Sequence, residues 1–77
     1  MPALLRKVSG KQCVRILCNK FGFSVARQKG SHIVLVKDNE FGRTVAVVPN
    51  HRELKLGTLR GILKMAKISE EDFAVFQ

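Results

Sequence analysis

Phe23-Ser24-Val25-Ala26-Arg27-Gln28-Lys29-Gly30-Ser31-His32-Ile33-Val34-Leu35-Val36-Lys37 is the stretch whose reading decides the fold. Phe23, Val25 and Arg27 alternate with Ser24, Ala26 and Gln28, the period of two that a strand imposes on its side chains. Lys29-Gly30 ends that pattern. His32 to Lys37 then holds Ile33, Val34, Leu35 and Val36, a run rich in β-branched residues and too short for an independent helix. Two such strands joined across Gly30-Ser31 predict a hairpin.

Outward from the hairpin, the pattern changes to that of helices. Upstream, Val8, Cys13, Ile16, Leu17 and Phe21 recur at helical spacing, with Ser9 as N-cap and Gly22 as a left-handed stop, so a first helix is expected over 10–21. Downstream, Asp38-Asn39-Glu40-Phe41-Gly42 supplies a turn, and Arg43 to Val48 a third strand that Pro49 stops. Pro49 to Leu54 reads as an ordered loop. Leu56, Leu59, Ile62, Leu63 and Ala66 then fit one face of a second helix, with Gly57-Thr58 near its start. Ser69-Glu70-Glu71-Asp72 has the form of a capping box before Phe73 and Phe76, predicting a short terminal helix. The order α, β, β, β, α with a short tail predicts an α+β fold: a three-stranded antiparallel sheet with both main helices on one face.

At 77 residues and 45% apolar content, the chain has room for one domain, 1–77, with a single modest core. The net charge of +8 is unevenly spread. From Met1 to Lys37 there are eight basic residues and no acidic one, whereas the remainder carries six of each. Such a field draws polyanions and makes their binding salt-sensitive. Met1 to Val8 is too short and basic for a leader's apolar region, and no apolar run approaches membrane-spanning length. Cys13 and Cys18, five apart on one helix, point in different directions and are not expected to pair. A reducing, cytoplasmic setting follows.

Gly30-Ser31-His32 is the candidate centre. Glycine allows close approach of backbone to a ligand, serine offers a small donor, and histidine titrates near neutrality. Arg27 and Lys29 fall on one face of the first strand and are expected to hold phosphate beside the turn. Metal-free cleavage of RNA requires deprotonation of a 2′-hydroxyl, stabilisation of charge on the phosphate and protonation of the 5′-oxygen that leaves. A neutral His32 suits the first task. His51 is the candidate second acid or base, weighed equally against a purely structural role. Lys55 and Arg60 near the second helix, and Lys11 and Arg15 on the first, are candidate backbone contacts for which the reading as ordinary solvated charges is slightly favoured; of these Lys55 is carried forward as a phosphate contact. The six carboxylates show no spacing that gathers them around an ion, so no metal and no cofactor is expected. Of the five phenylalanines most are expected in the core, and without Trp or Tyr there is no obvious stacking platform.

Taken together, Ser9-Gly10, Phe21-Gly22-Phe23, Arg27 to His32, Val48-Pro49-Asn50-His51, and Leu54 to Leu63 with Gly57-Thr58-Leu59-Arg60 resemble the HicA toxin family. The resemblance runs in order over nearly the whole chain. It implies a double-stranded-RNA-binding-domain-like fold adapted as an mRNA interferase, a catalytic histidine at His32, and a HicB-like antitoxin covering that site. Two departures accompany it: Ile33 follows the histidine where an aromatic residue or histidine is frequent, and the second turn carries Asp38 and Glu40. The alternative reading is a non-catalytic double-stranded-RNA-binding module. Such a module calls for clustered lysines at the start of its second helix, where Leu54-Lys55-Leu56-Gly57-Thr58 offers one. A DNA-binding autoregulator finds no helix-turn-helix pattern to support it.

Overall fold

The structure is a computed structural model that describes residues 3–77; Met1 and Pro2, the start of the basic segment read above, lie outside the described residues. Its elements are α1 (Gly10–Phe21), β1 (Ser24–Lys29), β2 (His32–Asn39), β3 (Gly42–Pro49), α2 (Leu56–Ala66) and α3 (Glu70–Ala74). The strands form one antiparallel sheet in the order β1-β2-β3, and this is the α-β-β-β-α arrangement expected, consistent with a double-stranded-RNA-binding-domain-like fold.

Local chemistry accounts for the ends of α1. The Ser9 hydroxyl accepts from the Gln12 backbone N–H at 3.0 Å, while the Gln12 side-chain oxygen accepts from the Ser9 N–H at 3.0 Å, a reciprocal capping box. Gly22, at φ 77°, turns the chain out of the helix and donates to the Leu17 carbonyl. The helix then buries Cys13 and Leu17 against the sheet.

Gly30 adopts φ 58° and Lys29 pairs with His32, so the first hairpin closes through a two-residue turn. The simple alternation expected of β1 does not survive. The register shifts between Val25, opposite Leu35, and Arg27, opposite Val34, leaving Ala26 as an extra residue. This bulge parts Val25 from the face of Arg27; Arg27 and Lys29, in register from the turn with Val34 and His32, lie on the face of those two residues. β2 and β3 pair without irregularity over eight residues each. Both strands run further into their turn than expected, because Asp38 and Arg43 are cross-strand partners joined at 2.7 Å and the Asn39 side chain accepts from the Phe41 N–H at 2.8 Å. Only Glu40 and Phe41 form the turn, with Phe41 fully in solvent.

One face of the sheet, carrying Ile33, Leu35, Ala46 and Val48, is sealed by both helices. α2 contributes Leu59, Ile62, Leu63 and Ala66, and Leu54 and Phe73 fill the margins. All six residues of β1 are exposed, Val25 included, because the helices cover β2 and β3 instead. The opposite face of the sheet is open and presents His32, Val34 and Val36 beside Arg43, Val45 and Val47. α3 starts with half of the predicted capping box: the Ser69 hydroxyl accepts from the Asp72 N–H at 3.1 Å.

Candidate functional site

Three main-chain hydrogen bonds gather the candidate residues at one end of the molecule. The Asn50 N–H donates to the Ser31 carbonyl at 2.6 Å, the Gly10 N–H to the His51 carbonyl at 2.8 Å, and the Leu54 N–H to the Val8 carbonyl at 2.7 Å. The first turn, the 49–54 loop and the start of α1 are therefore tied together, with the start of α2 two residues beyond Leu54. Gly10 makes this possible, since a Cβ there would lie 2.1 Å from the Pro49 carbonyl oxygen. Sequence reasoning took Gly10 only as a helix start and passed over Asn50. A glycine in the first helical turn, where it gains nothing as a helix former, was the available signal for the close approach.

On the open face of the sheet, His32 is flanked across the strands by Lys29 on one side and Pro49 on the other. Arg27 lies opposite Val34, two residues along from His32 on the same face. All three side chains are exposed, and none makes a hydrogen bond or ion pair among the described residues. Cations in that condition keep their full capacity for phosphate oxygens. The turn itself is braced: the Gln28 side-chain amide donates to the Gly30 carbonyl at 3.2 Å. With its carbonyl taken by Asn50, Ser31 keeps its hydroxyl free among the described residues.

His51 reaches the same end but a different wall. Its backbone is fixed, donating to Pro49 and accepting from Gly10, while its exposed side chain lines a shallow pocket of about 340 Å3 with Ser9, Lys11, Asn50 and Arg52. His32 is not part of that pocket. Lys55, exposed, is the N-cap position of α2, whose first turn has no side-chain cap. Arg60 is held by Glu70 at 3.1 Å, and Lys7 stands 3.8 Å from Glu53, so neither is as free as Arg27 or Lys29.

Other chemistry finds less to work with. Cys13 and Cys18 are both free thiols. Burial pushes the Cys13 thiol up to about 12 and raises that of Cys18 above its ordinary value, which keeps both in the weakly nucleophilic protonated form. The Arg43 guanidinium, hydrogen-bonded to Asp38, holds that carboxyl below the usual carboxylate range. Among the described residues no three His, Cys, Asp or Glu side chains come together as a metal site, and no helix is long and apolar enough to cross a membrane. Of the phenylalanines, Phe23 and Phe73 are buried, whereas Phe41 and Phe76 are exposed.

Comparison with models of protein families matches residues 10–68 to the HicA toxin of bacterial toxin-antitoxin systems. The chain belongs to the HicA toxin family. Comparison with curated proteins and with solved structures gave no match. The HicA segment runs from the first residue of α1 to just past α2, and so contains Arg27 to His32, His51 and Lys55. Residues 3–9, α3, Phe76 and Gln77 lie outside it.

Proposed function

We propose that this HicA-family chain, acting as a single domain over residues 1–77, is a metal-independent endoribonuclease that binds and cuts mRNA in the cytoplasm. The observation that carries the reading is the cluster of Arg27, Lys29 and His32, three unpaired side chains on one open face beside a glycine turn. In the reaction, neutral His32 takes the proton of a ribose 2′-hydroxyl. The 2′-oxygen bonds to the adjacent phosphorus, the bond from phosphorus to the 5′-oxygen breaks, and the freed oxygen takes up a proton. Arg27 and Lys29 neutralise the charge that builds on the phosphate, with Gly30 and Ser31 close to it at the turn and Lys55 further along the strand. His51 is the proposed donor to the leaving oxygen. A HicB-like antitoxin silences the site by covering His32 and its cations.

His32→Ala is expected to lower cleavage of a defined RNA by about 10²–10⁴-fold, the usual contribution of one positioned acid or base, while RNA affinity is kept. Cleavage by the wild type is expected to persist in excess chelator. Undiminished cleavage by His32→Ala removes His32 from the chemistry. RNA binding by the wild type with no cleavage at all returns the chain to the class of non-catalytic double-stranded-RNA-binding modules.

A further inference from the structure

On the flank of α1 that faces away from the sheet, Arg6, Lys7, Gln12, Arg15, Ile16 and Phe76 line a pocket of about 420 Å3. A clasp between the two ends of the described chain builds it. The Arg6 N–H donates to the Gln77 side-chain oxygen at 2.8 Å, the Gln77 amide donates back to the Arg6 carbonyl, and the Arg6 guanidinium donates to the Gln77 main-chain oxygen. Phe76 is thereby held beside α1, edge-on to Phe21 with ring centres 5.6 Å apart and with the Lys20 ammonium 5.4 Å from its own centre. It nonetheless stays 43% exposed. Arg15, also exposed, makes no hydrogen bond or ion pair among the described residues. Arg6, Lys7, Phe76 and Gln77 all lie outside the segment that matches the HicA family, so this pocket rests largely on residues the family match does not include.

We infer that this pocket is a second nucleotide subsite, which holds single-stranded RNA at a point remote from the cut: Arg15 takes a phosphate and Phe76 the neighbouring base. The inference rests on the ribonuclease reading and extends it. An exposed ring beside a free cation, here Arg15, is the combination by which single strands are held without sequence readout. α1 carries no acidic residue, and two of its cations lie along one side of the helix from the reactive end. Lys11, on the wall of the pocket that His51 lines, and Arg15, on the wall of this one, are one helical turn apart. The apolar floor is one ring with Val8 and Ile16, the scale of a base rather than of a protein helix.

The test uses the His32→Ala chain, in which cleavage is expected to be slow enough for binding to be read, with fluorescent single-stranded oligoribonucleotides of two lengths, one spanning only the turn and one about three times longer. Affinity is expected to rise with length in this parent. Adding Phe76→Ala is expected to remove about fivefold or more of the gain, in line with the loss of one stacked base. Adding Arg15→Ala is expected to lower the slope of log affinity against log salt by about 0.7, the loss of one phosphate contact. Phe76→Leu, which keeps apolar volume against Phe21, guards against a folding artefact and is expected to lose the same gain. If both variants keep the full gain, the subsite is overturned while the His32 reading stands. If the parent binds neither RNA, both fall. Unchanged RNA binding together with lost binding of a polyglutamate peptide assigns the pocket to an acidic protein segment and overturns the RNA subsite.

Discussion

A methyl group at position 10 would stand 2.1 Å from the Pro49 carbonyl oxygen and 2.9 Å from the Asn50 Cα, both main-chain atoms with little room to retreat. Gly10→Ala is therefore expected to destabilise the fold by about 1–3 kcal/mol, the usual range for overpacking, read as a fall in the thermal midpoint. Gly61→Ala, in α2 with nothing within 4 Å of the added atom, is expected to move the midpoint the other way by about 0.5–1 kcal/mol. The contrast shows which residues a sequence makes legible. Gly22 and Gly30 were readable because their reason is local, a positive φ at a helix end and at a turn. The reason for Gly10 is a loop forty residues away. Cys13 supplies a second residue-scale prediction. Its thiol stays protonated in the fold up to about pH 12, whereas in the unfolded chain it ionises from about 9.0. Its burial therefore favours the fold in full below pH 9, and that advantage is lost as pH rises towards 12, on the order of 4 kcal/mol across the window. The difference in unfolding free energy between wild type and Cys13→Ala is expected to be constant below pH 9 and to shrink above it. A parallel pair of alkaline curves would remove the thiol from the account.

At the scale of elements, α1 was legible to its terminal residues, because a helix announces its ends through side chains that bond its own backbone. Ser9→Ala removes one half of the Ser9–Gln12 capping box and is expected to cost about 1 kcal/mol, measured as a lower denaturant midpoint with unchanged slope. β1 was legible as a strand but not in the direction its side chains take. Nothing in Ser24-Val25-Ala26-Arg27 announces an extra residue, since a bulge is fixed by the partner strand: Leu35 must face the core and Val34 must not. The consequence falls on Val25 and not on the site. Lys29 pairs with His32 and Arg27 with Val34 through the two-residue turn, so the two cations share the face of His32 as alternation predicts, while the bulge moves Val25 to the other face, with Leu35. His51 fared differently. Its loop is close to the turn, as expected, and its main chain is bonded to Pro49 and to Gly10 at the start of α1, partners that leave no trace in a single sequence.

For the whole molecule, the question is whether net charge alone or its placement governs binding to RNA. The chain carries +8, yet its cations differ in what they face. Arg27 and Lys29 flank His32, whereas Lys64 and Lys67 stand at the far end of α2, with Lys64 about 12 Å along the helix axis from Leu56. Exposed charges act over a screening length of about 8 Å at physiological ionic strength, so each pair governs chiefly what binds beside it. Reversing Arg27 and Lys29 to Glu, or Lys64 and Lys67 to Glu, gives two proteins of equal net charge. If placement governs, the first pair loses about tenfold or more in RNA affinity at 0.15 M salt, and its slope of log affinity against log salt falls by about 1.4, two phosphate contacts on a single strand. The second pair then changes affinity only a few-fold, with the slope kept, because it alters the distant field and no contact. Equal losses in the two proteins would mean that RNA is held by the overall field, and the cluster around His32 would lose its claim to be the place where the strand is gripped for cutting.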